Sequence, residues 1–166
     1  MNYDIGDTVV HWTHGIGTVI SIDEMSMAGE KQQYYVVEIN LLKLWVPVEE
    51  ANNGSIRFLT ESLRYKELFD ILRMPGQELS DHPYQRKIAL RERMQKRTLA
   101  GLCHLIRDLT DRSRSRTLNL NDASVLSRAE DYLIDEWVLS LGVERVNARG
   151  ELDVLLREDL AEPVDQ

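Results

Sequence analysis

Seven residues rich in β-forming side chains, Gln33-Tyr34-Tyr35-Val36-Val37-Glu38-Ile39, decide how the first part of the chain folds. A second such stretch, Lys43-Leu44-Trp45-Val46, follows closely and ends at Pro47, which has no N–H to donate to a neighbouring strand. Short runs of β-forming residues next to turn residues predict further strands at residues 8–11, 17–22 and 55–58. Several short strands within residues 1–59 predict a small half-open β-barrel.

From residue 60 onward, the apolar residues recur at helical spacing. The clearest period lies at i, i+3, i+4, i+7 and i+10 and consists of Leu99, Leu102, Cys103, Ile106 and Leu109. About five helices are predicted: near 63–72, from Pro83, over 99–109, between 122 and 142, and near 150–160. The predicted N-caps are Thr60, Ser80 or Asp81, and Asn121 or Asp122, and Gly142 is predicted to end the fourth helix.

Strands followed by helices, without β-α-β alternation, indicate an α+β chain in two modules. We predict a β module at 1–59, an all-helical module at 60–160 and a frayed tail at 161–166. The single cysteine, Cys103, excludes a disulfide framework and a cysteine-built zinc site. No apolar stretch approaches the roughly 20 residues that span a bilayer, and the first residues do not resemble a secretory signal. We expect a soluble cytoplasmic protein without a membrane partner.

The net charge of −8 is unevenly distributed along the 166 residues. Residues 84–116 hold ten basic side chains against three acidic ones, a local net charge of +7, whereas residues 118–166 have four basic against twelve acidic, a net −8. The basic segment is a candidate nucleic-acid footprint. Because its acidic flanks repel phosphate, we expect binding that is weak, salt-sensitive and assisted by a second partner.

Catalytic and metal-binding patterns are nearly absent from the sequence. His11 and His14 form an H-x-x-H pair, but a structural zinc site needs four ligands, so a polar pair at a strand end is favoured. The segment Gly15-Ile16-Gly17 lacks the third glycine of a dinucleotide fingerprint and the lysine of a P-loop, and is interpreted as a tight turn. Cys103 shares its helix face with apolar residues and is interpreted as core. No enzymatic activity, cofactor, metal or small-molecule substrate is predicted.

The second predicted helix carries an ordered set of cations. On a helical wheel Arg86, Arg93 and Arg97 fall within about 40° of one another. Lys87 and Arg91 form an adjoining strip, and Tyr84 stands at the N-terminal end. In this arrangement the cations can lie along a phosphate backbone, and the flat ring at the tip of the helix can stack on a base. The alternative is a solvated helix face whose arginines pair with Glu92 and the acidic C-terminal third of the chain.

Alternation in the stretch 43–46 separates its side chains onto two faces. Leu44 and Val46 lie on one face, and Lys43 and Trp45 on the other. If Leu44 and Val46 face the core, Trp45 is available to anchor a partner protein. The alternative is that Trp45 packs on the helical module.

Four segments of residues 1–59 together resemble the CarD/CdnL family of bacterial transcription regulators, whose amino-terminal module also occurs in the transcription-repair coupling factor. They are Ile5-Gly6-Asp7-Thr8-Val9-Val10-His11, His14-Gly15-Ile16-Gly17-Thr18-Val19, Gly29-Glu30 before Tyr34-Tyr35-Val36-Val37, and Leu42-Lys43-Leu44-Trp45-Val46-Pro47-Val48-Glu49-Glu50-Ala51. Residues 60–142 resemble the family more loosely, through helix count and Ile106-Arg107-Asp108-Leu109. The chain is too short for a coupling factor's helicase engine, so it resembles the free-standing type.

The resemblance implies a non-catalytic function. In the family, a Tudor-like barrel binds the RNA polymerase beta subunit, and the helical module touches promoter DNA at the upstream edge of the melted bubble, largely without sequence readout. The implied polymerase-binding residues are Lys43, Trp45 and Pro47. The implied DNA-binding residues are Pro83, Tyr84, Arg86, Lys87, Arg91, Arg93 and Arg97. The other hypothesis is a Tudor-like protein–protein adaptor that never touches DNA.

Two departures from the family pattern support the adaptor hypothesis. The family's wedge tryptophan falls at Pro83 or Tyr84 here, and either side chain is a candidate replacement. The start of the fourth helix, Asn121-Asp122-Ala123-Ser124, is neutral to acidic, whereas family members often carry lysine or arginine there.

Overall fold

The computed structural model describes residues 2–96 and 98–158, apart from the side chains of Met27 and Glu158. The chain divides into two compact units between Leu59 and Thr60. The predicted tail at 161–166 and the predicted DNA-binding residue Arg97 both lie outside the described residues.

The first unit is a five-stranded antiparallel sheet. Its strands are β1 (Thr8–His11), β2 (Gly15–Met27), β3 (Glu30–Ile39), β4 (Leu42–Pro47) and β5 (Ile56–Phe58), in the spatial order β4-β3-β2-β1-β5. A short helix that the sequence did not predict, α1 (Val48–Asn52), links β4 to β5. The register of β2 against β3 shifts between Val19 and Ser21, and such a bulge bends and twists a strand. Together with the helices of the second unit, this confirms the predicted α+β fold of a half-open barrel followed by a helical module.

One face of this sheet forms the core of the first unit. Tyr35, Val37 and Ile39 alternate along β3 and are buried, and Val46 of β4 joins them. Val46 is the cross-strand partner of Tyr35, so the register places both on the same face. Tyr3 closes the core by donating a 2.9 Å hydrogen bond from its hydroxyl to the Ile56 carbonyl.

The predicted turn at Gly15-Ile16-Gly17 is wrong. Residues 12–14 form the turn, and all three predicted turn residues belong to β2. A Cβ on Gly17 would lie 2.4 Å from Ile39 Cγ1 and 2.5 Å from the Glu38 carbonyl oxygen. Glycine is therefore required at this position because β3 approaches the backbone too closely for a side chain.

The second unit contains the five predicted helices. They are α2 (Tyr65–Arg73), α3 (Pro83–Gln95), α4 (Leu99–Ser115), α5 (Leu120–Leu141) and α6 (Arg145–Glu158), and a 3-10 turn at Ser62–Arg64 precedes α2. The predicted stripe of α4 is largely internal, with Cys103, Ile106 and Leu109 fully buried. Trp137 of α5 is also fully buried and lies 4.6 Å from Phe69, measured between ring centroids. This core fixes the positions from which the helices present polar side chains.

Two predicted helix starts are wrong. Thr60 is not an N-cap, because Arg64 occupies that position of α2 and the Thr60 N–H donates to Glu136 Oε1 at 2.7 Å. The N-cap position of α3 belongs to His82, with Pro83 as the first helical residue. The proline, and not a capping side chain at Ser80 or Asp81, sets this start. Proline is favoured at the first helical position because the N–H that it lacks would be unpaired there anyway.

The ends of α5 give one correction and one confirmation. Asn119, and neither Asn121 nor Asp122, caps its start, and the Asn119 side chain accepts a 2.8 Å hydrogen bond from the Asp122 N–H. Gly142 ends α5 in the left-handed conformation at φ 64°, as predicted. Because Asn119 is the cap, the Asp122 carboxylate is available to another partner.

Candidate functional site

The first candidate surface is the exposed face of β4. Within the described part of the chain, β4 pairs with β3 on one side and lies at the edge of the sheet on the other, so its outer backbone groups have no strand partner there. Val46 is buried and Leu44 packs on the core, so Trp45 points to the opposite face, where it is 47% exposed. Lys43 on the same face is exposed and Pro47 is half-buried. The strand therefore combines an accessible indole, a cation and an open edge.

Two apolar side chains near the start of β4 are also accessible. Leu41 in the turn before β4 is fully exposed, and Leu42 is about half exposed at the end of the face opposite Trp45. Aromatic anchors with apolar neighbours are typical of protein–protein interfaces, and open strand edges accept an added strand. The chemistry of this surface is suited to a protein partner.

The second candidate surface is the outward face of α3. Tyr84 is 67% exposed, and Ile88 and Arg91 follow it at i+4 and i+7 on the same side. Lys87 completes the exposed set, and Pro83 is exposed at the helix start. Neither Lys87 nor Arg91 has an ion-pair partner among the described residues. This face combines two cations with a ring at the tip of the helix, which suits a nucleic-acid backbone.

The expectation that Arg86 lies on an exposed cationic strip is wrong. Its side chain is buried, and Nε donates a 2.6 Å hydrogen bond to Asp122 Oδ2 on α5. Arg93 is also turned inward, with 27% of its side chain exposed and Nη1 2.5 Å from Asp108 Oδ2 on α4. The two arginines do share a face, but it is the packed face of α3, which also holds the fully buried Leu90.

A sequence signal for this inward orientation existed and was missed. Leu90 is at i+4 from Arg86 and i−3 from Arg93, which places an apolar residue in the middle of the presumed cationic face. Asp108 likewise lies within the mostly apolar run 105–109 of α4, where a buried carboxylate requires a cation as its partner. Reading the two helices together would have indicated internal pairs.

Most other cations of the basic segment are also committed to partners. Ion pairs hold six of the ten basic residues of segment 84–116: Arg86, Arg93, Arg107, Arg112, Arg114 and Arg116. The pKa of the Asp81 carboxyl is held below its ordinary value, chiefly by the hydrogen bond from Arg112. Among the described residues, the exposed cations of the segment without an ion pair are Lys87, Arg91 and Lys96. The accessible positive charge is therefore smaller than the composition suggested.

The other residues singled out in the sequence have local roles. His11 and His14 approach each other with their Nδ1 atoms 3.1 Å apart beside the β1–β2 turn. Within residues 2–96 and 98–158, no group of three histidine, cysteine or acidic side chains is arranged to hold a metal. Cys103 is fully buried, and burial raises its pKa to about 12, so its thiol is core as predicted.

Comparison with known proteins identifies the family. The sequence model described as "CarD-like/TRCF RID domain" matches residues 3–60, and that described as "CarD, C-terminal domain" matches residues 67–153. A relative from Bacillus subtilis (strain 168), named "Putative transcription factor YdeB", is 25% identical over 144 residues, covering 85% of this chain and 94% of its own length. The chain belongs to the CarD family of transcription regulators. None of the described helices is long and apolar enough to cross a membrane.

Proposed function

We propose that this CarD-family protein is a non-catalytic regulator that binds the RNA polymerase beta subunit and stabilises the promoter open complex. The β4 surface of the first unit is the proposed polymerase contact, through Lys43, Trp45 and Pro47. The outward face of α3 is the proposed DNA contact at the upstream edge of the bubble. The observation that carries the proposal is the presence, in one CarD-family chain, of an exposed indole on a strand edge and an exposed ring beside two cations.

The polymerase contact is supported by the chemistry of β4. Trp45 offers a large apolar area that association would bury, and such centrally placed aromatic residues carry much of the energy of protein interfaces. The open edge of β4 allows a partner strand to pair along it with main-chain hydrogen bonds. Both features favour a protein partner over a small ligand.

The DNA contact is supported by the layout of α3. Lys87 and Arg91 can each reach a phosphate without reading a base, which agrees with binding that is independent of sequence. Tyr84, and Pro83 beside it, supply a ring and an apolar wedge at the tip of the helix, where a melted junction exposes unstacked bases. Arg86 and Arg93 are left out of the proposal because they are turned inward.

Two free cations on α3 and a net charge of −8 make strong independent DNA binding unfavourable. Attachment to polymerase would solve this difficulty by raising the effective concentration of the helical unit beside the promoter. We therefore propose that polymerase binding comes first and that the DNA contact acts within the assembled complex.

The adaptor hypothesis gains support from the same inward arginines. A chain that loses Arg86 and Arg93 from its DNA surface has fewer phosphate contacts to offer. In this second function, the β4 surface recruits a protein partner and the helical unit never touches promoter DNA.

The deciding experiment measures polymerase and promoter separately with the full chain. Retention of purified beta subunit by the immobilised protein tests the first contact. The lifetime of open complexes on a weak promoter, after a competitor is added, tests the second. Beta-subunit binding with a lengthened lifetime supports the proposal, and binding with an unchanged lifetime supports the adaptor. No binding overturns the polymerase proposal and leaves an adaptor for another protein.

A further inference from the structure

The segment Leu79–His82, which leads into α3, has no regular secondary structure, yet arginines of α3 and of the C-terminal end of α4 hold its polar groups. It is immediately followed by Pro83 and Tyr84, the proposed wedge. The position of the tip therefore depends on what fixes this segment, because Tyr84 lies within the first helical turn and follows any movement of the helix start.

Arg86 holds the segment from within α3. While Nε donates to Asp122 on α5 at 2.6 Å, Nη1 donates to the Ser80 carbonyl at 2.7 Å and to the Asp81 carbonyl at 3.3 Å. The guanidinium group is rigid and planar, so one side chain fixes the segment and α5 in a single geometry.

Two arginines at the C-terminal end of α4 also hold this segment: Arg112 in the last turn, and Arg116 directly after the helix. Arg112 donates from Nη1 to Asp81 Oδ1 at 3.2 Å and to the Leu79 carbonyl at 3.4 Å. Arg116 also donates to the Asp81 carboxylate. Together with the Arg86–Asp122 pair, these contacts form an arginine clamp, defined here as Arg86, Arg112 and Arg116 with Asp81 and Asp122.

We propose that the arginine clamp is a positioning device for Tyr84 at the promoter junction. This inference rests on the proposed function, because it assigns to ion-paired residues the task of orienting a ring that contacts DNA. A wedge is useful when its orientation is fixed before binding, since an ordered tip loses less conformational freedom on contact. A buried ion pair contributes uncertain net stability but specifies one geometry, which fits this role.

The test is a coupling experiment on the full chain. Tyr84→Ala is made in the parent, in Asp122→Asn and in Glu130→Gln, and open-complex lifetimes are measured well below each protein's melting temperature. Glu130→Gln is the matched control because Glu130 also pairs with an arginine, Arg149 at 2.7 Å, but on α5 and α6, away from the segment. Arg86→Lys is a second clamp variant, which keeps the charge and removes the planar fork.

In the parent and in Glu130→Gln, Tyr84→Ala should shorten the lifetime by about fivefold or more, the lower end of what base–aromatic stacking contributes. In Asp122→Asn and Arg86→Lys the same substitution should change the lifetime by less than about twofold, because residues acting through one another are not additive. Hydrogen exchange of the peptide covering residues 78–86 should accelerate in the clamp variants and stay at the parent rate in Glu130→Gln.

Two results overturn the inference: one leaves the proposed DNA contact standing, and the other overturns that contact as well. If Tyr84→Ala shortens the lifetime equally in the parent and in both clamp variants, the clamp does not position the ring, and the DNA proposal stands. If Tyr84→Ala has no effect in the parent, the DNA contact itself is overturned, and the clamp loses its function with it.

Discussion

Arg86 donates to Asp122 across 2.6 Å, and the two side chains retain 5% and 1% of their exposure. This buried pair joins α3 to α5. It turns Arg86 toward the interior, although helical periodicity predicted this residue on the DNA-facing side of α3. Its burial makes it sensitive to losing one partner, because a single remaining charge has neither water nor a counterion.

We expect Asp122→Ala to lower the free energy of unfolding by roughly 3–5 kcal/mol, since it leaves the Arg86 charge buried without its carboxylate. Replacing both residues, as Arg86→Met with Asp122→Leu, should recover a large part of the loss. Urea unfolding followed by circular dichroism measures both. Removing the exposed Glu67 partner of Arg64 is the control and should cost less than about 1 kcal/mol.

The exposed indole of β4 gives the second prediction. Trp45→Ala should weaken binding to the beta subunit by roughly 1–3 kcal/mol because it removes the proposed anchor of the interface. Calorimetric titration with the full chain measures the change. Phe58→Ala is a suitable control, as Phe58 is also partly exposed but lies on β5 at the other edge of the sheet. Equal affinities for the parent and a folded Trp45→Ala protein would remove Trp45 from the interface.

The outward cations of α3 give the third prediction. Lys87→Glu and Arg91→Glu should each lower the slope of log affinity against log salt by about one unit, because each removes one phosphate contact. The affinity is measured for forked promoter DNA with polymerase present, over a salt series. Lys66→Glu, an exposed lysine of α2, has the same charge change and should leave the slope unaltered. Identical slopes for all four proteins would favour the adaptor.

Two glycines make a matched pair for stability. Gly17→Ala should destabilise the protein by roughly 1–3 kcal/mol, because the added Cβ meets Ile39 and the Glu38 backbone at under 3 Å. Gly150→Ala should instead stabilise it by about 0.5–1 kcal/mol, since Gly150 lies in α6 with open space around it. Thermal unfolding shows whether each variant is more or less stable than the parent. An unchanged stability of Gly17→Ala would show that β3 can shift to accommodate the added methyl group.

Cys103 gives a prediction about pH. Its pKa is raised from 9.0 to about 12 by burial, so the folded state holds the thiol proton more tightly than the unfolded state. The contribution of the protonated Cys103 thiol to the free energy of unfolding is fully present below pH 9 and is lost as the pH rises toward 12. The difference in unfolding free energy between the parent and Cys103→Ala should therefore shrink between about pH 8 and about pH 10.5. A difference that stays constant over this range would contradict the buried thiol.

The sequence by itself determined the five strands, the five helices of the second unit and the family. The β-forming side chains of residues 33–39 and the period of Leu99, Cys103 and Ile106 are local properties. The first predicts a strand, and the second predicts the face that a helix buries. The helix starts were less predictable, because Asn119, Asn121 and Asp122 all have capping side chains. Which of them is the cap depends on where the packing of α5 in the core sets the first turn of the helix.

The direction of the cations on α3 was decided by the tertiary structure. Periodicity shows that Arg86 and Arg93 share a face of the helix, but it does not show whether that face meets solvent or another helix. Asp122 on α5 and Asp108 on α4 decide this, since each supplies a buried carboxylate at hydrogen-bonding distance from one arginine. Those partners are 36 and 15 residues away along the chain, and only the packing of the helices brings them together.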